Sequence, residues 1–210
     1  MLVKKIEELT KNRVKVICEC DFSFVLYKGE VRLYGIKENS EIEETSFRTI
    51  MEEVLPKRAK LRAMNLLKVR PYTVKGLTDK LQDNGYPQKI IAIAIEYVSS
   101  YHYLDDKQYA SDYINTYKDR KNKLKLTTDL LNKGVSKEII SEVLCEEFDD
   151  DFEDYEVEQI KSFIRKKGYD FSDISNIPYE TRNKLLAALY RKGYSVSLSK
   201  KILSLSDEFW

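Results

Sequence analysis

Two periods of hydrophobic spacing divide the chain. Before residue 45, Val14, Val16 and Cys18 alternate with polar neighbours, and Phe22, Phe24 and Leu26 alternate again after Asp21. A period of two is that of a half-buried strand, so this stretch predicts a β-hairpin with its turn near Glu19–Asp21. Gly29 and Gly35 punctuate the segment that follows. From Thr45 the period lengthens. Phe47, Ile50, Met51, Val54 and Leu55 fall at helical spacing, Pro56 is expected to interrupt the helix, and Ala59, Ala63, Leu66 and Leu67 resume the same period.

An internal repeat carries more information. Leu77 and Leu81 precede Gly85, Leu126 and Leu130 precede Gly134, and Leu185 and Leu189 precede Gly193. In each copy two leucines four apart make one helical face. A glycine follows at plus four, where a helix ends in the left-handed region, and an apolar residue comes next. Beyond each glycine a second helix is predicted by apolar residues at plus five, nine and ten. These are Ile90, Ala94 and Ile95, then Ile139, Val143 and Leu144, then Leu198, Ile202 and Leu203. Pro87, Ser136 and Ser195 stand near the starts of these helices, where a fixed φ or a capping hydroxyl is favoured.

The spacing of the glycines leaves room for one more helix per copy. It is clearest in Leu104-Asp105-Asp106 to Tyr109-Ala110, followed by Tyr113, Ile114 and Tyr117, with Asp105 as cap and Gln108 positioned to return the bond. The expected architecture is mainly α: three tandem three-helix repeats forming an elongated curved array, with a small N-terminal β-hairpin unit. The boundaries read from the sequence are 1–44 for a β-rich accessory unit, 45–103 for the first repeat with its lead-in helix, 104–148 for the second, and 149–210 for the third after an acidic joint.

Composition changes this picture little, whereas charge arrangement changes it more. Hydrophobic residues make up 42% of the 210, which is ordinary for a packed protein, and 36 Lys and Arg against 35 Asp and Glu leave a formal charge of +1. That balance argues against a uniformly basic nucleic-acid binder. Yet residues 57–80 hold Lys57, Arg58, Lys60, Arg62, Lys68, Arg70, Lys75 and Lys80 against Asp79 alone, while 146–158 carry only acids among their charges. Cys18, Cys20 and Cys145 form an odd set, no amino-terminal stretch reads as a secretion signal, and the longest apolar run, near Ile90–Ile95, is too short to cross a bilayer. A reducing cytoplasm and no membrane association are expected.

The ordered elements Arg70-Pro71, Leu77 to Gly85, Tyr103-Leu104-Asp105-Asp106 to Tyr109-Ala110, and Arg120 through Leu130 to Gly134 resemble the RecX family of recombination regulators. The weaker third copy and the small β-unit resemble its Gram-positive-type members, and the resemblance covers nearly the whole chain. Two departures stand out. Thr73 and Gly76 replace the family's usual Ser-x-x-Glu, which removes the reciprocal carboxylate cap and predicts a fraying helix; Lys121-Asn122-Lys123-Leu124-Lys125 replaces its usual Lys-Gly turn. The resemblance implies a protein without chemistry or cofactor, expected to act as a monomer. It implies binding to RecA across protomers in the groove of the RecA–DNA filament, inhibition of ATP hydrolysis, strand exchange and filament growth, and weak contact with single- or double-stranded DNA.

Candidate contacts to that filament are the cations Arg58, Arg62, Arg70 and Lys75 of the first repeat and Lys118, Arg120, Lys121, Lys123 and Lys125 of the second. Arg58, Arg62 and Lys75 lie off the leucine faces and are expected to be exposed. Phosphate neutralisation is what such residues supply best, and solvated helix faces are the plain alternative. Among the fifteen tyrosines, Tyr109, Tyr113 and Tyr117 share one helical face and are expected to pack between helices rather than stack on bases.

Asp149, Asp150, Asp151, Glu153, Asp154, Glu156 and Glu158 form a run that a nuclease would need for Mg²⁺. Contiguous acids seldom converge on a metal, so the run reads as a solvated joint and helix start. Cys18 and Cys20 read as a buried thiol pair on one face of a strand, too few ligands for zinc. His102 lacks a nucleophile to serve. No phosphate-binding glycine loop, HExxH or nucleophile elbow occurs, so neither metal nor catalytic residue is expected. The rival readings are a general helical nucleic-acid-binding protein without a RecA partner, and a metal-dependent nuclease.

Overall fold

The computed structural model describes residues 1–148 and 152–205. Strands β1 (Val3–Glu8), β2 (Arg13–Cys18) and β3 (Ser23–Tyr27) form one antiparallel sheet in that order. The β2–β3 hairpin is the one read from the alternation, with a 3₁₀ turn at Glu19–Asp21 that holds Cys20 and Asp21 at φ of +52° and +56°. Cys20 is therefore a turn residue and is exposed, while Cys18 is buried in the sheet, so the two thiols do not share a strand face.

Strand β1 carries no alternation signal of its own, its residues being Val3-Lys-Lys-Ile-Glu-Glu. It is an edge strand, with a register shift between Val3 and Lys5. Its outer edge is closed by the chain that follows. The Val3 amide donates to the Ser40 carbonyl at 3.0 Å, the Asn39 amide to the Val3 carbonyl at 2.9 Å, and the Ile6 amide to the Glu38 carboxylate at 2.7 Å. Pairing and charge together block further strand addition.

Helix α1 (Lys28–Leu33) follows β3 directly, opened by Glu30, whose carboxylate accepts from the Tyr27 amide at 2.8 Å. Helix α2 (Glu44–Thr49) runs through a π turn at Ile50–Val54 into α3 (Leu55–Val69), so the expected interruption at Pro56 does not occur. Proline breaks an α-helix because its ring meets the carbonyl four residues back and its nitrogen cannot donate. In the wider turn the Leu55 amide reaches back five residues to the Ile50 carbonyl, and the ring enters at the first turn of α3.

Helices α4 (Val74–Asp83) and α5 (Gln88–Ser100) complete the first repeat. The second comprises α6 (Asp106–Tyr117), α7 (Lys123–Asn132) and α8 (Lys137–Phe148), and the third α9 (Phe152–Lys166), α10 (Tyr179–Lys192) and α11 (Val196–Ile202), with a 3₁₀ segment at Phe171–Asn176 after α9.

The repeat template holds in atomic detail. Leu77, Leu81, Leu126, Leu130, Leu185 and Leu189 are all buried, and Gly85, Gly134 and Gly193 have φ of +83°, +88° and +86°. Each glycine amide donates three residues back, to Gln82, Leu131 and Tyr190. The next amide, of Tyr86, Val135 or Tyr194, returns five residues to the second leucine of the pair. This double bond pattern satisfies the last carbonyls of the helix and needs a left-handed residue at its centre.

At Thr73 the structure departs from the expected fraying. Its hydroxyl is buried and accepts from the Gly76 amide at 3.0 Å, so α4 is capped without a carboxylate.

The chain divides into two compact units, Met1–Asp105 and Asp106–Trp210. In the first, Val14, Val16, Cys18, Phe24 and Leu26 of the sheet share one core with Ile50, Leu55, Ala59 and Ala63 and with Leu77, Leu81, Ile90 and Ala94. The change near residue 45 thus marks a switch of secondary structure within a single core, and the β-strands are not a detached accessory. In the second unit, one cluster gathers Ala110, Ile114, Leu126, Leu130, Ile140 and Val143, and another gathers Ile160, Ile164, Leu185, Leu189, Leu198 and Ile202.

Candidate functional site

The nine candidate cations occupy different electrostatic settings, and burial separates them. Arg58 lies on α3 facing the sheet, where only 22% of its side chain is exposed. Its guanidinium is paired with the Glu30 carboxylate, reaches the Val25 carbonyl and stands 4.6 Å from the centre of the Tyr27 ring. The expectation of an exposed Arg58 is corrected here. The sheet covers a helix face that the leucine periodicity leaves free, and Arg58 is a tie between sheet and helix.

Arg62, one turn further along α3, is exposed and has no carboxylate partner among the described residues. Arg70 follows the end of α3 in an extended conformation, exposed, with its guanidinium 4.7 Å from the Tyr72 ring centre. Lys75 is exposed but spanned by Asp79 at 2.9 Å, an i,i+4 pair of small energetic value.

In the second repeat, Lys118 is half-buried, with its ammonium donating to the Asn115 side chain at 2.6 Å and its carbonyl accepting from Tyr155 and Gln159. Arg120, in the α6–α7 loop, is exposed and unpaired among the described residues. Lys121 points inward, donating to Asp129 at 2.8 Å and to the Tyr113 hydroxyl at 2.6 Å, 4.1 Å from the Tyr117 ring centre. Lys123 is exposed at the start of α7, and Lys125 pairs with Asp129 at 2.7 Å.

Asp129 is therefore held well below the usual carboxylate range by hydrogen bonds from Lys121 and Lys125, against the cost of its own burial. Burial opposes the charge on Lys121, but Asp129 and Tyr113 outweigh it and raise the ammonium. The cluster at 118–125 is in large part an internal network, with Arg120 and Lys123 as its outward members.

Tyr109, Tyr113 and Tyr117 pack against the second-repeat core, Tyr113 and Tyr117 with ring centres 4.6 Å apart. Tyr113 donates its hydroxyl to Asp129 at 3.0 Å. Asn122 explains the altered turn before α7. Its side-chain oxygen caps the helix by accepting from the Lys125 amide at 3.0 Å, and its nitrogen donates to the Lys192 carbonyl at 2.7 Å, beside the end of α10. Asp105 stands immediately before α6, and Leu104 packs on the first core.

Within the acidic run, Asp149, Asp150 and Asp151 lie outside the described residues. The others are dispersed. Glu153 and Asp154 are exposed in the first turn of α9, Glu156 accepts from the Ser195 amide at 2.6 Å, and Glu158 pairs with Lys161 at 2.7 Å and Arg165 at 3.4 Å. Among the described residues no group of three His, Cys, Asp or Glu side chains is arranged to hold a metal ion. No described helix is long and apolar enough to cross a membrane.

Sequence reasoning missed Arg13, the first residue of β2. It sits directly opposite Tyr27 on β3 and lines, with Arg58 and Arg62, an open groove between the hairpin and α3. A charged residue at a strand end carries no local signal, and only the packing of sheet on helix brings the three arginines together.

A sequence model of the domain described as "RecX, first three-helix domain" matches residues 59–97, the span from α3 through most of α5. Similarity to proteins named "Regulatory protein RecX" extends this over nearly the whole chain. The protein from Clostridium botulinum strain Alaska E43 is 25% identical over 205 residues, covering 98% of this chain and 95% of that one. The protein from Clostridium acetobutylicum is 28% identical over 193 residues, covering 92% and 89%. Residues 59–97 thus match a RecX domain, and nearly the whole chain is similar to regulatory proteins RecX.

Solved structures of the family carry the same fold. A crystal structure of a regulatory protein RecX superposes with a TM-score of 0.61 at 18% identity, covering 97% of this chain and 98% of that one. The RecX structure from Lactobacillus salivarius gives 0.59 at 21% identity, covering 72% of this chain and 96% of its own.

Proposed function

We propose that the chain binds the RecA–DNA filament and restrains it, reducing ATP hydrolysis, strand exchange and filament extension during recombination and DNA repair. The observation that carries this reading is the similarity to regulatory proteins RecX along nearly the full chain, β-unit and third repeat included. The electrostatics support it. Arg62 and Arg70 at the first repeat and Arg120 at the second present exposed guanidinium groups without carboxylate partners among the described residues, the form of charge best suited to phosphates and acidic protein surfaces. The proposed protein is a cytoplasmic monomer with the three repeats at 45–103, 104–148 and 149–210 as its binding modules, and its activity is binding alone, without cofactor.

Titration of the purified protein into the single-stranded-DNA-dependent ATPase reaction of RecA tests the proposal. A saturable fall in rate is expected. Replacement of Arg62, Arg70 and Arg120 together by Ala should weaken that fall while leaving the circular dichroism spectrum unchanged. No effect of the wild-type protein on the rate would overturn the proposal. Salt-sensitive DNA binding without any effect on RecA would instead support a general nucleic-acid-binding protein.

A further inference from the structure

The groove between the β2–β3 hairpin and α3 in the first unit is built for an anion that also offers a flat face. Arg13 and Arg62 line it, and neither guanidinium has a carboxylate or other side-chain partner among the described residues. Arg58 stands between them with its charge already met by Glu30, so the local excess of positive charge belongs to Arg13 and Arg62. Tyr27 is 45% exposed, with Arg58 against its ring at 4.6 Å. Tyr86, just beyond Gly85, brings its hydroxyl into the field of all three arginines, although burial pushes that phenol up. Asn65 adds an amide at the rim.

We infer that this groove is a binding site for a single-stranded nucleic-acid segment, with Arg13 and Arg62 on a phosphodiester and the Tyr27 ring stacked on an adjacent base. Guanidinium groups match phosphate oxygens in pairs of parallel hydrogen bonds. A tyrosine held by an arginine is a stable stacking platform that accepts any base. An acidic peptide would satisfy the arginines but leave the ring without a partner, and for that reason the nucleic acid is the occupant the groove favours. The site gives the β-unit a role, since β2 and β3 supply Arg13 and Tyr27. It draws on the proposed function only in expecting nucleic acid to be within reach.

The test is fluorescence anisotropy of a short labelled thymidine oligonucleotide with the full chain across a range of salt concentrations. An abasic oligonucleotide of equal length, polyglutamate and inorganic phosphate serve as competitors. Arg13→Ala with Arg62→Ala should weaken binding roughly tenfold, since two charge-assisted contacts are lost. It should also make the log–log salt dependence shallower by about 0.7, the value for the one single-strand phosphate that the two arginines share. Arg62→Lys should retain most of the salt dependence. Tyr27→Leu should abolish the preference for thymidine over abasic probe, with the denaturation midpoint as folding control.

Unchanged affinity in the double arginine variant, or displacement of the probe by polyglutamate as readily as by the abasic oligonucleotide, would overturn the inference. The RecA ATPase titration reads out separately. Binding through the groove with no effect on RecA would sink the proposed function and leave this site standing.

Discussion

Replacing Gly85 by Ala tests the packing of helix α4 against the sheet. Two costs follow from the structure. The first is conformational: at φ +83° a Cβ meets the following carbonyl, which costs about 1–2 kcal/mol, offset by up to about 1 kcal/mol from the stiffer unfolded chain. The second is steric. A Cβ at position 85 would lie 2.2 Å from Val25 Cγ2 and 3.3 Å from Val25 Cβ, well inside van der Waals contact. Val25 is 7% exposed and β-branched, so it cannot rotate away, and either the hairpin or the end of α4 must shift. Overpacking of this kind costs about 1–3 kcal/mol, for a total of about 1–5 kcal/mol.

Gly35 is the control. It lies in the same unit at φ +61° with open space around its would-be Cβ, so Gly35→Ala bears only the conformational cost. Urea denaturation followed by far-ultraviolet circular dichroism should give a midpoint for Gly85→Ala clearly below that of Gly35→Ala at similar slope. Adding Val25→Ala to Gly85→Ala should recover part of the loss, with a coupling of about 1–3 kcal/mol in a double-mutant cycle. Equal midpoints for the two glycine variants, or strict additivity with Val25→Ala, would refute the reasoning.

Three further outcomes are expected. Arg58→Ala should destabilise the first unit by about 1–3 kcal/mol, because it strands Glu30 and removes the cation from the Tyr27 ring; a cycle with Glu30→Ala reads the pair directly, and zero coupling would show the contact to be incidental. Asn122→Ala should cost the second unit about 1–3 kcal/mol, through loss of the α7 cap and of the donor to the Lys192 carbonyl, whereas Asn122→Asp should restore only the cap; thermal melting ranks the three.

The third concerns acid. The depressed Asp129 carboxyl contributes stability that is complete above its unfolded value near about 3.9 and is lost as pH falls from there toward its lower folded value. The Asp129→Asn variant should therefore show a flatter decline of denaturation midpoint below about pH 4 than the wild type. Parallel declines would show that the Lys121–Lys125–Asp129 network does not govern acid stability.

Most of the helical architecture is legible in the residues, because helix ends and helix faces are local problems. A leucine pair, a glycine at plus four and a capping Ser or Pro each act within one or two turns, and Gly85, Gly134 and Gly193 end their helices with the same pair of backbone bonds. Failures occur where the deciding group is distant in sequence. Strand β1 has no alternation of its own and exists because β2 pairs with one edge and residues 39–42 close the other. Pro56 is absorbed by a π turn whose widening no propensity signals.

The candidate cations show the same limit. Spacing marks Arg58, Arg62 and Lys75 equally as off the leucine face, since it locates only the helix's own core side. Partners within the same helix and from other elements then sort them. Glu30 takes Arg58, Asp129 takes Lys121 and Lys125, Asp79 takes Lys75, while Arg62, Arg70 and Arg120 remain open among the described residues.

The sequence by itself determined the three-helix repeat and the β2–β3 hairpin, because these depend on periodicity and on backbone conformations that particular residues require. Only the tertiary structure decided which charges are neutralised and which face outward, and that Arg13, Tyr27 and Arg62 share one groove. Electrostatic pairing depends on separation in space, and the sheet that packs on α3 brings together residues far apart along the chain.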